Sequence, residues 1–186
     1  MNEPLFMTNN SVENLSVRLL KQRTILLFGA LDEELSAKVI SSLLYLAVED
    51  NKKPITLMIN SVGGDETEAL AIFDMMQAVS CPIHTVCLGK AHGMAALLLA
   101  AGEKGERKMY ANGEIMLTQV SRDRTFGQAS DIELETEHLL NVKERVVELL
   151  VKLTGISKEK IQADLERKHW LFADQALDYG IVDKVI

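Results

Sequence analysis

Residues 89–102 read GKAHGMAALLLAAG, and they follow the β-branched run IHTVCLG at 83–89. The run at 83–89 is typical of a buried strand, and the Ala- and Leu-rich run that follows Gly93 is typical of a buried helix. Only a few residues around Gly93 separate the two, so the chain must turn sharply there. Such a turn directs free backbone N–H groups into one small space. The corner is therefore a candidate site, although Gly93 has no side chain.

Strand-like and helix-like segments alternate along the rest of the chain. The pattern predicts strands at 24–29, 55–60, 83–89, 108–120 and 181–186. It predicts helices at 31–50, 66–79, 94–101, 130–153, 156–167 and 173–180. This alternation is typical of right-handed βαβ crossovers and a mostly parallel sheet. We expect a single α/β domain over residues 1–186, with polar residues 1–16 as a flexible N-terminal arm.

The composition narrows the class of partner and the compartment. The formal net charge of −7 argues against nucleic acid or an anionic membrane as the main partner. The chain has no apolar run of the roughly 20 residues that a membrane span needs. Its N-terminus lacks the pattern of a signal peptide. We expect a cytoplasmic protein with reduced Cys81 and Cys87, and no pattern indicates a cofactor or a metal ion.

A second glycine corner, NSVGGD at 60–65, follows the preceding predicted strand. In α/β folds, sites lie where strands end and helices begin. Two backbone N–H groups that converge from neighbouring corners would form an oxyanion hole. The alternative is that both corners are simply tight turns, because glycine-rich turns between strands and helices are common.

Several motifs resemble those of the ClpP family, the serine peptidases (peptidase S14) that form the proteolytic subunit of the Clp protease. INSVGG at 59–64 resembles that family's INSPGG, and residues 87–107 resemble the segment that carries its catalytic serine. EIMLTQV, GQASDIELE and ADQALDYGIVDKVI resemble further family motifs, at 114–120, 127–135 and 173–186. The resemblance covers nearly the whole chain. It implies the ClpP/crotonase-like fold of repeated ββα and βαβ units, with a protruding strand–helix handle at about 119–153.

The sequence departs from that family where peptide cleavage takes place. The resemblance places the family's catalytic serine at Gly93, its histidine at Thr118 and its aspartate at Lys168. Cleavage by a triad needs a hydroxyl to attack, an imidazole to take its proton and a carboxylate to orient the imidazole. Gly93, Thr118 and Lys168 cannot carry out any of these three tasks. We expect a catalytically inactive relative with a structural or regulatory role.

Two other hypotheses about the function stay open at this point. In the first, a rewired serine peptidase would recruit other residues of the chain: Ser61, His84, His92, Ser121 and His169. In the second, a crotonase-like acyl-CoA enzyme would use Asp65 or Glu66 as acid or base. The motifs favour the inactive relative over both.

The resemblance also implies assembly. It places the oxyanion-hole donors at Gly64 and Met94, and contacts between subunits at Gly127, Gln128, Glu166 and Arg167. The implied partners are copies of this chain or an active ClpP paralogue, in stacked seven-membered rings. An AAA+ Clp unfoldase is a further implied partner, although the N-terminus lacks that family's basic patch.

Overall fold

A mostly parallel seven-stranded sheet organises the computed structural model, which describes residues 5–7, 12–120 and 128–186. The described strands are β1 (Leu5–Met7), β2 (Val12–Asn14), β3 (Thr24–Leu31), β4 (Ile55–Gly64), β5 (Ile83–His92), β6 (Arg107–Met109), β7 (Glu114–Leu117), β8 (His169–Phe172) and β9 (Lys184–Val185). The described helices are α1 (Leu15–Lys21), α2 (Glu33–Glu49), α3 (Glu66–Ala78), α4 (Met94–Ala100), α5 (Ala129–Thr154), α6 (Lys158–Leu165) and α7 (Ala173–Asp178).

The sheet runs in the order β3-β4-β5-β6-β9, and each of these neighbouring pairs is parallel. Strand β7 also pairs with β5, further along it than β6, and β8 pairs antiparallel with β7. The expected α/β fold with a mostly parallel sheet is confirmed. The antiparallel β7–β8 pair was not predicted, because β8 has only four residues, HWLF, without alternation of polar and apolar residues.

The structure corrects several predicted boundaries. Strand β4 runs on to Gly64, since a bulge at Val62 lets its pairing with β3 continue through the predicted turn. Strand β5 runs on to His92, because its last three residues pair with β7. The strand predicted at 108–120 is divided into β6 and β7 by a turn, in which the Gly113 N–H donates to the Tyr110 carbonyl at 2.8 Å. Helix α1 was missed because none of its residues is buried.

The segment 1–16, expected to be a flexible arm, contains an antiparallel pair of short strands. Strand β1 pairs with β2, with Phe6 opposite Glu13. Asn14 then caps helix α1 by accepting a hydrogen bond from the Val17 N–H. The flexibility of this arm stays a prediction.

Helix α4 lies at the centre of the core. All seven of its residues are buried. Leu97, Leu98 and Leu99 point in different directions around the helix and are each 1% exposed or less. Burying a leucine side chain contributes about 2 kcal/mol, so the apolar run of α4 is a large part of the core energy. The helix is thereby held with its first residue at the end of β5.

Arg107 secures the opposite end of α4. Its guanidinium donates to the carbonyls of Ala100 and Leu153, at 3.4 and 3.2 Å, which lie in the last turns of α4 and α5. Its Nε donates to Asp183 Oδ2 at 2.9 Å. A cation is favourable at a helix C-terminus, and here one buried cation serves two helices. The ion pair of Arg107 and Asp183 therefore joins β6, helices α4 and α5, and the segment before β9.

Candidate functional site

The two predicted glycine corners contact each other in the structure. A Cβ placed on Gly63, in the first corner, would lie 2.6 Å from the His92 carbonyl oxygen in the second. Only glycine leaves room for this approach. Asp65 ends the first corner as the N-cap of α3, and its carboxylate accepts from the N–H groups of Thr67 and Glu68 at 2.8 and 3.1 Å. Asp65 thus serves as a helix cap.

Gly93 lies between β5 and α4 with φ +54° and ψ −121°. Its N–H donates to the Met116 carbonyl at 2.8 Å, which fixes the turn against β7. This backbone region is strained for any residue with a side chain, and a sharp, strained strand-to-helix turn is the geometry of a nucleophile elbow. A Cβ added at Gly93 would meet Thr118 Cγ2 at 3.6 Å, an ordinary van der Waals distance. The corner therefore has the shape of an elbow without its nucleophile.

The fold brings two positions of the expected triad, Gly93 and Thr118, together. Thr118 directly follows β7, and Lys168 directly precedes β8. The antiparallel register pairs Leu117 with His169, so continuing it by one residue places Thr118 opposite Lys168. Gly93 thus adjoins Thr118, and Lys168 lies at the next position of the β7–β8 register. That these are the family's triad positions stays a prediction.

A cavity of about 140 Å³ opens at the contact between the two corners. Its lining in the described part of the chain consists of Val62, Gly63, Gly64, Glu66, Gly93, Met94, Thr118, Gln119 and Val120. The predicted donor residues Gly64 and Met94 therefore line one cavity with two of the three triad positions. Their role as donors stays a prediction.

Sequence reasoning missed Gln119 as part of this site. Its backbone N–H donates to the Leu165 carbonyl at 3.1 Å, and its side-chain oxygen accepts from Lys143 Nζ at 3.2 Å. Gln119 therefore ties the cavity to α5 and α6. Its place beside Thr118 in the EIMLTQV motif was the one available signal.

His92 lies next to Gly93 in sequence but is directed elsewhere. Its Nε2 is 3.2 Å from Glu114 Oε1, and its ring meets Trp170 edge-on with the centroids 5.1 Å apart. Burial lowers the pKa of His92 below its usual value, against the opposing effect of Glu114. This cluster spans β5, β7 and β8 and was not predicted.

The other described residues of a rewired site are also held by neighbouring groups. His84 Nδ1 lies 4.0 Å from Glu106, and His169 Nδ1 lies 3.8 Å from Asp164. Ser61 is fully buried, and its Oγ accepts from the Gly63 N–H at 3.1 Å. His84, His92 and His169 thus each lie beside a carboxylate. Ser121 lies outside the described residues.

The predicted contact residues lie at the surface. Gln128 is the N-cap residue of α5, and Glu166 and Arg167 are exposed in the turn between α6 and β8, immediately before Lys168. Gly127 lies outside the described residues.

Within residues 5–7, 12–120 and 128–186, no cluster of three His, Cys, Asp or Glu side chains could hold a metal ion. None of the helices in these ranges is both long and apolar enough to cross a membrane.

Comparison with known families agrees with the resemblance. The family model described as Clp protease matches residues 7–186. The match includes both glycine corners, the positions Gly93, Thr118 and Lys168, and the long helix α5. The chain therefore belongs to the Clp protease family, whose proteolytic subunit its motifs resemble.

Proposed function

We propose that this chain is a catalytically silent subunit of a Clp protease assembly, with a structural or regulatory role. The observation that carries the proposal is the identity of the residues at the expected triad positions: Gly93 and Thr118 line the cavity, and Lys168 directly precedes β8. At these expected positions the chain lacks the chemistry of a triad.

Each replacement removes a different step of peptide cleavage. Gly93 has no atom that could attack a carbonyl carbon. Thr118 cannot take up a proton near neutral pH, whereas the histidine of a triad must do so. Lys168 would place a positive charge where an imidazolium needs a negative neighbour. His92, the nearest imidazole in sequence, is held by Glu114.

We expect the purified chain to leave small fluorogenic peptides uncleaved and to resist labelling by a serine-directed phosphonate. An active ClpP-family peptidase, measured in parallel, provides the positive control. Turnover that the phosphonate abolishes would show that the chain is an active serine peptidase and would refute the proposal. Loss of that turnover in Thr118→Val would then assign it to a rewired site at the same cavity.

We further propose that the chain assembles into stacked seven-membered rings, with itself or with an active paralogue, in the cytoplasm. Two separate apolar surfaces support this. One lies on α2 and the other on the sheet; the exposed side chains are Leu44, Tyr45 and Val48 on α2, and Phe28, Leu88, Tyr110 and Ile186 on or beside the strands. Two different surfaces that bind each other give a head-to-tail contact, which forms a ring when the rotation from one subunit to the next closes.

Val48→Asp is expected to dissociate these rings, because Val48 is 89% exposed in the single chain and a charge there would be buried against a neighbour. Native mass spectrometry should give ring masses for the parent chain and mostly monomer for the variant. Lys104→Asp, an exposed loop substitution, is the matched control. Co-expression with an active paralogue then distinguishes mixed from pure rings. A monomeric parent chain in both settings would overturn the assembly proposal.

A further inference from the structure

His92 is buried at the end of β5, although its imidazole can carry a charge. Its Nε2 lies 3.2 Å from Glu114 Oε1 on β7, and its ring meets the Trp170 ring on β8 edge-on. Among the described residues β8 pairs through its backbone with β7 alone. The contact between His92 and Trp170 therefore joins β8 to a strand with which β8 shares no backbone pairing.

One ring nitrogen of His92 is left to take up a proton. An ionised carboxylate only accepts hydrogen bonds, so a neutral His92 donates to Glu114 through its Nε2–H and leaves Nδ1 without a proton. Within residues 5–7, 12–120 and 128–186, Nδ1 has no hydrogen-bond partner. The His92 side chain is only 11% exposed. A proton on Nδ1 would therefore place a charge in a largely desolvated position.

Three charged groups face the imidazole from the strands around it. Glu114 on β7 attracts a protonated ring, whereas Lys90 on β5 and Lys168 just before β8 repel it. Burial outweighs the attraction to Glu114, so the pKa of His92 lies below its usual value in this closed arrangement. An imidazole released to solvent has a pKa of about 6.5. Acidification below about pH 6.5 therefore favours an arrangement in which the ring has left its place.

The backbone of His92 connects this ring to the cavity. A Cβ on Gly63 would lie 2.6 Å from the His92 carbonyl oxygen, so the two chain segments are in close contact there. The next residue, Gly93, is held to β7 by the hydrogen bond from its N–H to the Met116 carbonyl. Gly63 and Gly93 both line the cavity. A displacement of His92 would therefore be felt at the cavity wall as well as at β8.

We propose that His92 is an acid-sensitive latch. Its neutral ring holds β8 against β5 through Trp170, and its protonated ring leaves Trp170 and releases β8. The proton comes from solvent and is bound at Nδ1, and no other bond changes. The inference goes beyond the proposed function and depends neither on the missing triad nor on assembly.

Trp170 reports directly on the latch, because it is the only tryptophan of the chain. Acrylamide quenching of its fluorescence measures its exposure in the full-length protein. We expect the quenching constant to rise about twofold between about pH 7.5 and 5.5, since Trp170 is 44% exposed in the closed arrangement. Far-UV circular dichroism should stay constant over this range. In His92→Gln, whose amide can still donate to Glu114 but cannot titrate, the quenching constant should not change with pH.

Matched controls use the other histidines that lie beside carboxylates. His84→Gln and His169→Gln should each retain the rise of the parent chain, because neither ring contacts Trp170 in the structure. A rise that either variant abolishes while His92→Gln retains it would assign the transition to another histidine and overturn the inference.

Two charge substitutions separate release from simple protonation in place, and they decide the matter even if His92→Gln does not fold. Glu114→Gln removes the charge that stabilises a buried imidazolium, so release should begin at a higher pH than in the parent. Lys90→Gln removes a charge that repels it, so release should need a lower pH. If the imidazolium stayed beside Trp170, both shifts would have the opposite sign, and that order would overturn the latch. A quenching constant of the parent that does not change with pH would overturn it as well.

Discussion

The combined substitution Gly93→Ser, Thr118→His and Lys168→Asp is expected to give this chain peptidase activity. The increase should be on the order of 10³-fold over the parent chain, well below the roughly 10⁶-fold that a complete triad contributes. The reason is geometric. The backbone at Gly93 already has the elbow conformation, and the nearest neighbour of a new side chain would be residue 118 at 3.6 Å. Initial rates on a fluorogenic peptide, with and without a serine-directed phosphonate, provide the measurement.

Two partial variants serve as controls for this gain. Thr118→His/Lys168→Asp lacks the nucleophile and should stay at the parent's rate. Gly93→Ser/Thr118→His retains Lys168 and should lose most of the gain, because nothing then orients the imidazole. A triple variant that folds like the parent and stays inert would contradict the expected geometry. The cavity could then no longer hold a scissile bond in place.

The core of this site was predictable because its residues follow fixed positions in the fold. Gly63 and Gly93 each lie where a parallel strand ends and a helix begins, and neighbouring parallel strands bring such ends together. Motif spacing then placed Thr118 and Lys168 in the segments that became the ends of β7 and β8. The local sequence pattern and the family resemblance thus predicted the same place for the site.

What could not be predicted depends on contacts between distant segments. The His92–Glu114–Trp170 cluster depends on the register of three strands, one of which is antiparallel and has no apolar alternation. The exposure of Leu134 and Ile132 to solvent could not be predicted from the sequence either. The 3.6-residue period runs through all of α5, and only the fold determines where the helix leaves the core.

Asp183→Asn is expected to cost about 3 kcal/mol of unfolding free energy, the low end for removing one partner of a buried ion pair. Arg107 is 4% exposed, so its charge would stay buried without a counter-charge. The Asp183 side chain is 20% exposed, which keeps the loss from being larger. Urea unfolding followed by circular dichroism measures the difference. Asp178→Asn, at an exposed carboxylate, should change stability by less than about 0.5 kcal/mol.

The pH dependence of this loss identifies its cause. Hydrogen bonds from Arg107, which is also the nearby positive charge, lower the pKa of Asp183 to about 2, whereas an aspartate in the unfolded chain has a pKa of about 3.9. The carboxylate therefore stabilises the fold above about pH 4 and loses that effect as the pH falls towards 2. The gap between the parent chain and Asp183→Asn should be constant from pH 7 to 5 and narrow below pH 4. In Arg107→Met/Asp183→Leu, where no unpaired charge is buried, part of the stability should return. A gap that stays constant down to pH 2 would show that the amide disturbs packing and that the ion pair contributes little.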